Sequence, residues 1–525
     1  MQIARIGDGL SERYSAEVVG GKAANLAHLA ALGLPVPPAF VLPVDLCAAI
    51  VRGEAGTTQA LTDGLAKGIA FLENATGKRL GDRRRPLLVS VRSGAARSMP
   101  GMLDTVLNVG CTSTAVQGLV RMSGHPRFAW DCRRRFLESY GRVVLGLDRA
   151  LFQRRLDELV AAEGVEGEPA LDGEALERLA ANYRDVIEKQ DCVVPEDPME
   201  QLRAAAQAVF RSWNSERARA YRQLEQLEHL RGTAVTIQAM VFGNRGVSSG
   251  AGVAFSRDPS TGEPTPVIDV LFESQGEDVV SGSRNPATEE ALARSVPAAA
   301  AQLRETLMRL EQEMGDVQDV EFTIEDGKLW ILQTRSAKRT PHAALRFAIA
   351  FVKDGRMTPS EALRRLSGLD LNTLASKRLV GVCEPTGRGT GASAGVAVGR
   401  AAFDSQSAER LAGSGPVILV RPDTNTADVL GFSASDGILT AVGARTAHAA
   451  LVARQMGKPC IVGCAGLILD VERRCARLAG TAIKEGDWLS IDGGAGTVYL
   501  GRGNIVVDRP ETELAEIARW RSEIA

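Results

Sequence analysis

The chain has 525 residues, too many for one compact unit at ~150 residues per domain, so two to four domains are expected. Its 62 Lys and Arg against 64 Asp and Glu give a net charge of −2, which excludes the overall basic footprint of a general nucleic-acid binder. Hydrophobic residues at 45% and charged residues at 24% exclude a disordered chain, and 54 glycines, above the usual ~7%, suggest backbone-lined loops of the kind that hold phosphate.

No run reaches the ~18 apolar residues of a membrane span and the first residues lack a signal peptide's basic and apolar regions, so a cytoplasmic location without membrane or nucleic-acid partners is expected. The eight cysteines contain no C-x-x-C pair and the five histidines no metal spacing, so neither a disulfide framework nor a zinc site is predicted. Residues 18–34 read as a Gly20-Gly21-Lys22 turn feeding an Ala/Leu helix that Gly33 ends. Glycines with a Lys at a helix start can hold phosphate, although a capped surface helix has the same pattern. A short buried strand, 86–94, delivers Arg92 into a Gly/Ser-rich loop through Ser98, Gly101 and Asp104. That is plausible anion chemistry, or a surface Arg beside a turn.

Residues of about 115–230 carry helical periodicity, and their Arg133-Arg134-Arg135 run reads as a solvated helix face. Two strands, 234–241 and 253–257, flank a flexible loop and read as a hairpin whose tip could fold over a ligand. Strict alternation in 318–324 puts Asp319 and Glu321 on one strand face, and 330–335 does the same for Gln333 and Arg335 across an Asp326-Gly327 turn. With an odd number of loop residues, Asp319 would face Arg335 and Glu321 would face Gln333. Two carboxylates so placed suit Mg²⁺, with Arg335 on a transferring phosphate; an exposed cross-strand ion pair would give the same pattern. Residues 340–380 look helical, with a capping box at Thr358 to Glu361, and a domain boundary is expected near 375–388. Residues 437–464 read as strand, glycine turn, helix, Gly stop, strand. Thr446 is the expected N-cap and His448 the second helical residue, where free N–H groups and the helix dipole would stabilise a phosphohistidine.

Gly20 to Leu26, Ser90 to Gly94 with Ser98 to Met102, Gln275 to Val280, Gln318 to Arg335 and Thr446 to Cys460 together resemble pyruvate, phosphate dikinase, collinearly from residue 1 to about 505. The resemblance implies an α/β (α+β) architecture: an ATP-grasp domain over 1–340 with a helical insertion at about 115–230, a helical linker over 341–387, a swivelling phosphohistidine domain over 388–505 and a C-terminal helix over 506–525. It implies that Lys22, Arg92 and Arg335 bind ATP phosphates, with Arg92 and Arg335 acting beside His448 in catalysis. Gly101, Asp104, Gly252, Val253, Glu277, Val279 and Gln333 would line the nucleotide site, Asp319 and Glu321 would bind Mg²⁺, and Thr446 matches a regulatory position. The implied activity uses ATP and inorganic phosphate to give AMP, pyrophosphate and phospho-His448, an in-line chemistry that rests on positioning and charge neutralisation.

Three departures qualify the match. Ala251-Gly252-Val253 stands where the family has Thr-Gly-Val, Gly443 to His448 reads Gly-Ala-Arg-Thr-Ala-His where the family has Gly-Gly-Met-Thr-Ser-His, and about 20 residues follow 505 where the family's barrel needs ~250. The expected activity is therefore the nucleotide half-reaction, with pyruvate or another acceptor on a separate PEP/pyruvate-binding polypeptide and a homodimer as a further assembly. The alternatives are an inactive nucleotide-binding regulatory protein and a piece of a longer dikinase.

Overall fold

The structure, a computed structural model, describes residues 3–7, 14–97, 99, 102–281, 284, 286–370, 376–382, 384–424, 428–443, 445, 447–470 and 473–524. The fold is mixed α/β and divides into two compact units, residues 1–246 with 330–333 and residues 247–329 with 334–525. This division differs from the domain boundaries expected from the sequence.

The first unit is built on a five-stranded antiparallel sheet in the order Ala4–Ile6, Ala39–Leu42, Ala234–Ala239, Val89–Gly94, Thr105–Val109. The alanine-rich helix Gly21–Ala31 forms as its sequence predicts, and Gly33 beyond it takes a φ of 74°. The expected helical stretch is present as successive helices from Ser113 to Leu224, most of them opened by a Thr, Asp or Ser whose side chain accepts a first-turn N–H. Phe128, Phe136 and Tyr140 of one helix and Tyr183 of another join the sheet residues Val89, Val91 and Ile237 in a single apolar core.

The arginine run corrects the sequence reading. Arg133, Arg134 and Arg135 lie on the helix Pro126–Val143 at only 4%, 4% and 8% exposure, because Asp131, Glu168 and Glu196 supply them with carboxylates. The expected hairpin over 234–257 is a second correction. Its strands, observed as Ala234–Ala239 and Gly250–Phe255, belong to different sheets. The joining segment is anchored where Asn244, itself buried, donates to Asp131 Oδ2 at 2.6 Å.

The second unit opens with a four-stranded sheet in the order Lys328–Ser336, Gln318–Glu325, Gly250–Phe255, Val267–Phe272. The helices Pro341–Lys353 and Pro359–Leu366 follow, the latter with the predicted Thr358 cap and Pro359 at its first position. The C-terminal helix Glu511–Ile524 packs back on both through Ile517 and Trp520, which is 1% exposed. Beside a three-stranded sheet within 467–484 and a two-stranded pairing of Ser376–Val380 with Asn504–Asp508, an eight-stranded sheet forms most of the rest of the unit. Its parallel centre runs Val396–Ala402, Val417–Arg421, Gly437–Thr440, Cys460–Val462, and the helix His448–Met456 crosses over between the last two. The strand–helix–strand order read from the sequence is thus present, with Gly457 (φ 66°) as the C-cap. Among the described residues no helix is long and apolar enough to cross a membrane.

Candidate functional site

In the first unit the glycine turn is fixed by contact. Gly20 has a φ of 79°, and a Cβ there would sit 1.9 Å from the carbonyl oxygen of Gly94. Only glycine permits this approach, which seats Lys22, in the first turn of its helix, against the end of the strand Val89–Gly94 that carries Arg92. Gly21 N donates to Ala95 O at 2.9 Å and continues the junction. Arg92 is half-buried and its Nη1 lies 3.5 Å from Gln238 Oε1. Asp104 forms an ion pair with Arg217, whose Nε also donates to Met102 O. Gly101 lies outside the described residues. Gln333 belongs to this unit as a half-buried residue of the strand Lys328–Ser336.

In the second unit the predicted carboxylate–arginine meeting is present. Arg335 Nε donates to Asp319 Oδ2 at 2.7 Å, and Arg335 Nη2 lies 4.0 Å from Glu321 Oε1. The turn between the strands is two residues, Asp326 and Gly327, both with positive φ as a tight hairpin turn requires.

Asp319 is 3% exposed and burial pushes its carboxyl pKa up, against the pull of Arg335. Burial works against the charge of Arg335, but Asp319 and Glu321 outweigh it and raise the guanidinium's pKa. Asp319 Oδ1 is buried and meets no hydrogen-bond donor among the described residues. Such an orphaned oxygen beside a second carboxylate fits a hard divalent cation that takes its other ligands from phosphate and water. No group of three or more His, Cys, Asp or Glu gathers into a metal cage among the described residues.

The nucleotide residues assigned to this unit are scattered in character. Gly252 and Val253 lie in Gly250–Phe255, which is paired on both edges, and Val253 and Ala251 join an apolar cluster. Glycine is needed at 252 because a Cβ would sit 2.4 Å from the Phe322 ring and 2.5 Å from Asp269 O. Glu277 is exposed on the short helix Gly276–Ser281, while Val279 packs in the same apolar cluster.

The histidine lies one position earlier in its helix than the sequence suggested. The N-cap is Ala447, with no side-chain cap bond, and His448 is the first helical residue; Thr446 lies outside the described residues. An alanine cap supplies no acceptor, so no cap side chain occupies the first-turn N–H groups. The loop before the helix meets the four-stranded sheet. Arg445 N donates to Asp269 Oδ2 at 2.9 Å, Arg445 Nη1 lies 3.6 Å from Asp269 Oδ1, and Arg454 of the same helix stacks 5.4 Å from the Phe255 ring centroid. Asp269 pairs in register with Val253, which pairs with Glu321, so the three side chains share a sheet face.

Residues 56–298 and 287–350 match the family described as "Pyruvate phosphate dikinase, AMP/ATP-binding domain", and residues 413–496 match "PEP-utilising enzyme, mobile domain". The chain belongs to the pyruvate, phosphate dikinase family. It is 40% identical over 516 residues to pyruvate, phosphate dikinase 1, chloroplastic, of Arabidopsis thaliana, covering 97% of this chain and 53% of that one. It is 40% identical over 493 residues to pyruvate, phosphate dikinase of Clostridium symbiosum (92% and 56%) and 39% identical over 531 to pyruvate, phosphate dikinase 2 of Zea mays (100% and 60%). This dikinase-family chain thus spans little more than half the length of those relatives.

Two residues that hold the loop before His448 were not singled out from the sequence. Asp269 is an acid within the apolar strand Val267–Phe272, and Arg454 is a cation on the buried side of an alanine-rich helix, 1% exposed. In both cases a charge where the pattern is apolar was the available signal.

Proposed function

We propose that this chain performs the ATP half-reaction of a dikinase: phosphorylation of its own His448 at the expense of ATP and inorganic phosphate, with AMP and pyrophosphate as products. The region matching the AMP/ATP-binding family would act as an ATP-grasp nucleotide domain, and the eight-stranded sheet with its histidine helix as a swivelling carrier. The observation that carries the reading is within the second unit: the loop leading to His448 is bonded to Asp269, on the sheet face that holds Glu321 and, two residues away, Asp319 with its orphaned oxygen.

Lys22 and Arg92 hold phosphate oxygens from the glycine turn, and Arg335 holds the group in transfer. Asp319 and Glu321 would hold Mg²⁺, which would supply charge neutralisation on the phosphates. The neutral imidazole of His448 attacks the β-phosphorus of ATP in line: an N–P bond forms, the bond from the α,β-bridging oxygen to that phosphorus breaks, AMP leaves and the imidazole N–H proton is released. Inorganic phosphate then attacks the γ-phosphorus, the β,γ-bridging P–O bond breaks, and pyrophosphate departs from phospho-His448. The uncapped N–H groups of the helix His448–Met456 stabilise the phosphohistidine dianion. Thr446 is the residue where modification would block this step.

The test is a product assay with Mg-ATP and inorganic phosphate. Formation of about one equivalent of AMP and pyrophosphate per chain, dependent on Lys22 and Asp319, supports the reading. ADP as the nucleotide product, or no product despite measured ATP binding, overturns it. Passage of the phosphoryl group to pyruvate, by this chain or with a second polypeptide, is read separately as phosphoenolpyruvate.

A further inference from the structure

Arg445 stands where the resembled motif has a methionine, three residues before His448, and its backbone and side chain are both engaged. Both of its peptide groups are held. Its N–H goes to Asp269 Oδ2 at 2.9 Å, and its carbonyl accepts from Arg454 Nη2 at 2.5 Å. Its guanidinium reaches Asp269 Oδ1 at 3.6 Å and donates from Nε to Gly391 O at 3.1 Å. Arg454 in turn donates to Ala392 O at 2.7 Å, and Ser260 Oγ donates to the same carbonyl at 2.9 Å. Asp269 itself is 4% exposed at the centre of Val267–Phe272, so its charge has little water to satisfy it and relies on these donors.

We propose that Arg445 is a positioning residue, a clasp that fastens the loop ahead of His448 to the Asp269 strand and so fixes where the imidazole stands for phosphoryl transfer. The proposal rests on the half-reaction described above. A methionine in its place keeps the backbone bond to Asp269 and loses the guanidinium's two contacts. Of the four contacts that hold Arg445, the two backbone bonds, to Asp269 and from Arg454, would then remain. Arg445 does not touch the nucleotide in this reading, so its loss alters the rate of transfer and leaves ATP binding as it is.

The test uses the full chain and two independent readouts. The first is amide hydrogen exchange of peptides spanning 437–456 and 388–396 without nucleotide, which needs no activity. The second is the rate of His448 phosphorylation against the Kd for ATP. Arg445→Met and Asp269→Asn should each speed exchange in those peptides and slow phosphorylation by ~10-fold or more, as loss of a partly buried charge pair does, with the ATP Kd within about twofold of wild type. Arg445→Lys should recover part of the rate. The double variant should be no worse than the more affected single, since the two residues act on one bond. Arg445→Glu, which faces Asp269 with a like charge and cannot be excused as a folding failure if the melting temperature is unchanged, should be the slowest. Unchanged exchange in Arg445→Met and Arg445→Glu would overturn the clasp. If wild type is never phosphorylated, the half-reaction fails while exchange still decides the clasp.

Discussion

Replacing Asp131 by Ala should cost the first unit about 3 kcal/mol, at the low end of the ~3–5 kcal/mol expected when one partner of a buried charge pair is removed. The carboxylate is 2% exposed and accepts from Arg134 Nη2 at 2.6 Å, from Arg135 Nε at 3.0 and 3.1 Å, and from Asn244 Nδ2 at 2.6 Å. Two guanidiniums lose this partner, but neither is left without a carboxylate. Arg134 keeps its contact with Glu168 and has Glu138 at 3.6 Å, and Arg135 keeps Glu168 at 3.6 Å. These remaining partners set the low end. Acid should remove the same contribution. Burial opposes ionisation of Asp131, but Arg135 and Arg134 outweigh it and hold the carboxyl far below the usual range. A depressed pKa stabilises fully above the unfolded value of ~3.9 and is lost as pH falls below it. Urea denaturation of wild type and Asp131→Asn, followed by exchange of the Pro126–Val143 helix, should give a difference that is flat from pH 5 to 8 and shrinks in stronger acid. A loss in Asp131→Ala no larger than the ~0–1 kcal/mol of a surface ion pair, or a difference that persists unchanged at pH 3, would refute the buried-network account.

Asp319→Asn should reduce His448 phosphorylation by ~100-fold or more, with partial recovery at high Mg²⁺, because it removes the carboxylate that pairs with Arg335 and offers the unpartnered oxygen; a rate within threefold of wild type would remove Asp319 from the site. Burial, then Arg346, lower the pKa of His342, so its neutral form is the stabilising one. That contribution is present above ~6.5 and lost as pH falls, so the melting-temperature gap between wild type and His342→Gln should narrow from pH 7 to 5. Burial pushes the Cys111 and Cys460 thiols up to about 12, so labelling of the native chain at pH 8 should reach the part-exposed Cys192 and Cys475 before these two. Trp520→Ala should cost ~3–5 kcal/mol through the cavity left against the linker helices, seen as loss of protection in Glu511–Ile524.

Local pattern carried most of what was legible. The glycine turn at Gly20, the alternation around Asp319 and Glu321, and the strand–helix–strand order around His448 are short-range signals, and each appears in the structure where the residues placed it. What failed was long-range. Whether Arg133 to Arg135 face water depends on Glu168 and Glu196, tens of residues away, and whether the strands ending at Ala239 and starting at Gly250 pair depends on which sheet claims each. The clasp at Arg445 was half visible: a cation beside the histidine stood out, but its partner Asp269 lies 176 residues earlier in the chain, beyond any local pattern.

The central claim is that His448 takes a phosphoryl group from ATP. Intact-protein mass spectrometry at neutral to alkaline pH, after incubation with Mg-ATP with and without inorganic phosphate, tests it most directly. The account predicts addition of one phosphoryl group in the presence of phosphate, lost on acid treatment and absent in His448→Ala. No addition to a chain that demonstrably binds ATP, or addition that survives in His448→Ala, would contradict it.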